Sequence, residues 1–95
     1  MSVVIKKRAE NSIAHTIEHI EEQGYPITSV KYLDRILSFF KDLDRLKPLH
    51  QLCKKKSWAK FNYRCVVFEG KYVVAYKVEK QQVVICYFVH GAKLK

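Results

Sequence analysis

From Tyr63 to Lys93 the chain reads YRCVVFEGKYVVAYKVEKQQVVICYFVHGAK. Three runs rich in valine, tyrosine and phenylalanine (YRCVVF, YVVAYKV and VVICYFV) are separated by the short breaks EGK and EKQQ. β-Branched and aromatic side chains fit a pleated, half-buried surface, and short polar breaks between such runs read as hairpin turns. The stretch therefore predicts a three-stranded antiparallel meander. Alternate residues of a strand point to opposite faces. One face receives Tyr72, Val74, Tyr76, Val78, Val83, Ile85, Tyr87 and Val89, which suits a covered core. The opposite face receives Val73, Ala75, Lys77, Val84, Cys86, Phe88 and His90, joined by Arg64 if Val66 and Phe68 also lie there. That face is apolar in the middle and basic around it, a composition that suits binding.

Working outward, Val3 to Ile5 form a short apolar run ended by Lys6, Lys7 and Arg8, the pattern of an edge strand protected by charge. Ala9, Ile13, Ile17 and Ile20 recur every three or four residues and predict an amphipathic helix stopped by Gly24. A second helix is expected from Pro26, with Thr28 or Ser29 as alternative caps, carrying Val30, Leu33, Ile36, Leu37, Phe40 and Leu43 and ending at Pro48. The tight QGYP connection between them predicts an antiparallel helical hairpin. The segment LKPLHQLCKKKSWAKFN, Leu46 to Asn62, fits neither period and reads as an exposed basic connection around Trp58. The expected fold is α+β and a single domain over residues 1–95: a short N-terminal strand, two antiparallel helices, then the meander, with both helices on one face of the sheet.

A chain of 95 residues has room for one modest core. Its 18 basic against 9 acidic residues give a formal charge of +9, a field that favours a polyanion or an acidic protein partner. No stretch approaches the roughly 20 apolar residues of a membrane span, and the opening MSVVIKKRAENS lacks the apolar run of a secretion signal, so a cytoplasmic protein without membrane contact is expected. Cys53, Cys65 and Cys86 are odd in number and widely spaced, which predicts reduced thiols. His15 and His19 stand four apart on the first helix, but no third ligand accompanies them. Neither a metal site nor any other cofactor is expected.

The order strand, two helices, meander, together with GYP ahead of the second helix, the strand Tyr72-Val73-Val74-Ala75-Tyr76 and the close His90-Gly91-Ala92-Lys93, resembles the RelE/ParE toxin superfamily of type II toxin–antitoxin modules, the plasmid-stabilisation proteins. The likeness covers nearly the whole chain. It implies a toxin neutralised by a cognate antitoxin, and the excess positive charge suits an acidic one.

Two mechanisms exist within that superfamily. RelE-like members cut messenger RNA on the ribosome, and the resemblance places their cationic groups at Arg64, Val73 and Lys93. Cleavage builds charge on a phosphate that preorganised guanidinium groups stabilise, and valine at position 73 cannot. His90 has the proton-transfer chemistry of a general acid or base, or it simply ends the strand. RelE-like enzymes commonly carry a tyrosine or histidine after the final strand, where this sequence has only the tail to Lys95. His90, Arg64 and Lys93 are thus the catalytic candidates. ParE-like members bind DNA gyrase and need no catalytic constellation, and the long Pro26-to-Pro48 stretch resembles theirs. The reading leans to a ParE-like gyrase binder, with a weakened ribosome-dependent endoribonuclease as the alternative. Antitoxin or target binding is expected at Arg64, Lys77, Val84, Phe88, His90 and Lys93.

Overall fold

The computed structural model describes residues 2–22, 26–46 and 51–91. Its elements are β1 (Ser2–Ile5), α1 (Lys7–Glu22), α2 (Pro26–Leu46), α3 (Lys56–Ala59), β2 (Arg64–Phe68), β3 (Tyr72–Glu79) and β4 (Gln82–His90). The meander is present as expected: β2 pairs antiparallel with β3, and β3 with β4. Lys80 and Gln81 both adopt positive φ, 50° and 64°, between the opposed residues Glu79 and Gln82. A two-residue hairpin turn of that hand follows the natural twist of the strands, although neither residue is a glycine. β1 closes the other edge, running parallel to β4 with Val3 opposite Val83 and Ile5 opposite Ile85, so the sheet order is β1-β4-β3-β2.

Both long helices cover one face. α1 buries Ala9 and Ile13 and packs Ile17 and Ile20 against the core, while α2 contributes Tyr32, Ile36, Phe40 and Leu43. α2 opens at Pro26, whose fixed φ is suited to a first helical position. Its stripe differs from the expected one: Val30 is 62% exposed and Leu37 38%, whereas Tyr32 is buried and sets its ring edge-on to Phe68 and Tyr72. A tyrosine can bury its ring while the hydroxyl finds polar company, which hydrophobic spacing does not register. The expected stops of the two helices, Gly24 and Pro48, lie outside the described residues. Among the described residues no helix is long and apolar enough to cross a membrane.

The sheet departs from simple alternation at one point. Ala75 stands opposite Tyr87 and Tyr76 opposite Ile85, so Cys86 is an extra residue on β4, a β-bulge. Side chains before and after it have opposite parity. Val83 and Ile85 face the helices, and beyond the bulge Phe88 does so too, stacked on Tyr72 at 4.8 Å and edge-on to Phe40 at 6.4 Å. Tyr87 and Val89 turn to the opposite face, beside Val73 and Ala75. Unbroken alternation had put Phe88 and His90 on the open face and Tyr87 in the helix-covered core; the extra residue reverses both. Val66 and Phe68 also pack beneath the helices, which sends Arg64 to that side of the sheet edge, not to the open face.

The second face is not open across its middle. Instead of an exposed connection, the chain from Gln51 folds back along β2: the Cys53 amide donates to the Tyr63 carbonyl, the Cys65 amide to the Gln51 carbonyl, and Leu52 bridges Arg64. Cys53 and Cys65 are joined by a disulfide, and only Cys86 of the three cysteines is free, contrary to the expectation of three thiols. Between them, the single turn of α3 drops Trp58 onto the sheet at 5% exposure, stacked on Tyr87 at 4.6 Å. Lys54, Lys55, Lys56 and Lys60 stay in solvent. Burying an indole of some 200 Å² outweighs the polarity of its neighbours, which need not follow it inside.

Candidate interaction surface

With the faces assigned, the expected binding residues divide. Lys77 and Val84 lie on the second face, with Val4 of β1 beside Val84 and 40% exposed. Arg64, Phe88 and His90 lie on the helix side, Phe88 at 1% exposure within the core. Lys93 is outside the described residues. Of the catalytic candidates, Arg64 is opposite Tyr76 and His90 opposite Tyr72. Four residues along β3 at about 3.3 Å each, and two strand spacings of about 4.8 Å across, separate them by roughly 16 Å. Val73 remains on the second face, packed with Trp58 in the cluster under α3.

His90 does join a group, though not that one. It sits edge-on to Tyr72 at 5.3 Å and lines a groove of ≈ 470 Å³ that also receives Ser12, His15, Thr16 and His19 of α1. His15 is 4.0 Å from Glu18, one turn along the same helix. Among the described residues no three histidine, cysteine or acidic side chains are gathered so as to hold a metal ion.

The second face carries two grooves, one on either side of Trp58. Towards β1, Lys6, Lys7, Arg8, Tyr63, Cys86 and Tyr87 line a groove of ≈ 300 Å³. Arg8 places its guanidinium over the Tyr87 ring at 5.0 Å and donates a hydrogen bond to the Tyr87 hydroxyl. The bulge makes this possible, because it brings Tyr87 round to the face that the start of α1 overhangs. A guanidinium held by one ring and one hydroxyl keeps further donors for an acidic ligand. At the floor, burial pushes the Cys86 thiol above its ordinary range, against a hydrogen bond from Tyr63 and the nearby charges of Lys6 and Lys77. Tyr63 is raised by burial first and by Cys86 second. Lys77 is paired with Glu79 at 2.8 Å; that hydrogen bond raises the lysine and lowers the carboxylate.

On the other side, towards the β2 edge, a groove of ≈ 560 Å³ runs between the folded-back segment and β2. Its floor is apolar, with Leu52 49% and Val67 56% exposed, and Lys54 and Lys55 stand at its rim. In sequence, Lys6, Lys7 and Arg8 read only as charges guarding an edge strand, and no periodicity singles out Trp58 or Tyr63 for a surface. The clustering of lysines around Trp58 was the available signal, since a lone tryptophan among cations must either bury or bind.

A family model described as the ParE toxin of the type II toxin–antitoxin system parDE matches residues 3–94. A search of curated proteins gave no match.

Proposed function

The chain belongs to the ParE toxin family, the toxin component of a type II toxin–antitoxin module, and from that premise we propose that it acts by binding DNA gyrase, without catalysing RNA cleavage, and is neutralised by an acidic antitoxin. One observation supports the non-catalytic reading: where the resemblance places a phosphate-stabilising cation, the chain has Val73, packed against Trp58. Valine has no charge to offer a phosphate, and the backbones of Arg64 and His90 stand roughly 16 Å apart by strand geometry. Stabilising a phosphorane-like charge requires donors aimed at one point in a water-poor site. Two grooves with cationic walls over apolar or aromatic floors instead suit recognition of an acidic chain with apolar anchors.

Family membership implies an antitoxin partner. On this reading its acidic segment contacts Lys6, Lys7 and Arg8 beside Tyr87 and continues over Val84 and Lys77, with the His90 groove as a separate anchor on the helix side. The test is a supercoiling assay with purified gyrase and relaxed plasmid, run beside a ribosome-programmed messenger RNA. Supercoiling should stop in the presence of the chain, resume when antitoxin is added, and the message should stay intact. Cleavage within ribosome-bound codons that disappears in His90→Ala would overturn the reading in favour of an endoribonuclease.

A further inference from the structure

We infer that the Cys53–Cys65 disulfide is a thiol-exchange site, entered by a small anionic thiol through the groove beside β2, and that its opening releases the Gln51–Tyr63 segment from the sheet. The inference stands whether or not gyrase is the target. It rests on three placements. Cys65 lines the groove of ≈ 560 Å³, while Cys53 is 4% exposed, so an incoming nucleophile reaches the Cys65 sulfur and Cys53 is the leaving group. Lys54 and Lys55 rim the same groove, next in sequence to Cys53. Cations there draw in an anionic thiol and stabilise the departing thiolate. Apart from the disulfide, the segment is held to the sheet by the Cys65 amide on the Gln51 carbonyl and the Leu52–Arg64 bridge, by Trp58 on Tyr87 and Ala75, and by Tyr63 on Tyr87 and Cys86.

The chemistry balances as ordinary exchange. The attacking thiolate bonds to the Cys65 sulfur, the Cys53–Cys65 bond breaks, and Cys53 leaves with the electron pair and takes up a proton. A second thiolate then attacks the outer sulfur of the mixed disulfide and frees Cys65. Two external thiols are oxidised to one external disulfide, and the two protein sulfurs are reduced to thiols. Cys86 takes no part: it is 2% exposed, donates its S–H to the Val84 carbonyl at 3.6 Å, and lies against Tyr63, the last residue of the segment. It therefore reports on release, because lifting Tyr63 uncovers it. Trp58, the only tryptophan, is a second reporter.

The experiment uses the full chain in its oxidised form. Reduction by mercaptoacetate, 2-mercaptoethanol and cysteamine is timed at matched thiolate concentration, with alkylation of each cysteine mapped by peptide mass and Trp58 emission followed in parallel. At low ionic strength two nearby lysines should make the anionic thiol about tenfold faster than the cationic one, a gap that shrinks with salt. Lys54→Glu with Lys55→Glu should invert the order. Full reduction should shift Trp58 emission and open Cys86 to alkylation, and Cys53→Ser with Cys65→Ser should show both changes without reductant while keeping its strand content. Equal rates for the three thiols, or a fully reduced chain with Cys86 still protected and Trp58 unchanged, would overturn the inference. So would the absence of a Cys53–Cys65 linkage after treatment with a small disulfide.

Discussion

Replacing Phe88 and Tyr87 in turn tests the bulge that decides which face each occupies. Phe88 is 1% exposed and contacts Tyr72, Phe40 and Phe68 with ring centroids at 4.8, 6.4 and 6.3 Å. Truncating such a side chain to alanine removes its transfer free energy and leaves a cavity, together about 3–5 kcal/mol. For 95 residues the unfolding entropy at the melting point is about 0.2 kcal/mol/K, so the midpoint should fall by roughly 20 °C. Size of effect alone does not identify the face, because Tyr87 is also packed, against Trp58. Double-mutant cycles do. Phe88 with Phe40 should show a coupling of about 0.5–1.5 kcal/mol, as should Tyr87 with Trp58, while Tyr87 with Phe40 should be additive within about 0.3–0.5 kcal/mol. Measured by urea unfolding, coupling of Tyr87 to Phe40 with additivity of Phe88 and Phe40 would mean that β4 alternates without interruption, and the assignment of both faces would fall.

The turn between β3 and β4 holds Lys80 and Gln81 at positive φ, so Lys80→Asn with Gln81→Gly should stabilise the fold by about 1 kcal/mol; a lower melting temperature would contradict the turn geometry. Burial, with the charges of Tyr72 and Glu69, pushes Tyr32 up to about 12, from a model-peptide value near 10. The folded chain therefore holds this proton longer than the unfolded one: stability is intact below about pH 10 and declines as pH rises towards 12, by at most about 2–3 kcal/mol. Tyr32→Phe should flatten that alkaline decline in denaturant titrations, and an unchanged slope would remove Tyr32 as its source. Lys6→Glu with Arg8→Glu should lower the antitoxin association rate about tenfold at low salt while circular dichroism stays that of the parent; an unaltered rate would move the antitoxin contact off this corner.

Strand number, the two long helices and their order were legible because each rests on local pattern: period-two runs between turn residues, and apolar residues three and four apart; the single turn of α3 was not. Nor was the bulge. VVICYFV is apolar in both parities, so an inserted residue leaves no mark on composition, and only the register against β3 shows that Cys86 is extra. The pairing of Cys53 with Cys65 was hidden for a related reason. Their twelve-residue separation becomes a contact only because Gln51 to Cys53 runs back along β2, a tertiary event with no periodic signature. Trp58 misled for the opposite reason: four lysines dominate its neighbourhood in sequence, while its burial is set by Tyr87, Ala75 and Val73 from strands further along the chain.

The same single residue also explains why the expected site came apart. An antiparallel strand that alternated throughout would carry Phe88 and His90 to the face of Lys77 and Val84, gathering an apolar centre and a basic rim in one place. With Cys86 inserted, the half of β4 before the bulge and the half after it present opposite faces, so His90 meets α1 and Tyr87 meets the start of the same helix from the other side of the sheet. Arg8 thereby gains a ring and a hydroxyl that fix its guanidinium before any partner arrives. A cation ordered in advance by both a ring and a hydroxyl loses less side-chain entropy on binding, so the corner at Arg8 is better suited to anchor an acidic segment than the exposed lysines around Trp58, of which Lys55 and Lys60 have a ring contact alone, to Trp58 and Phe61.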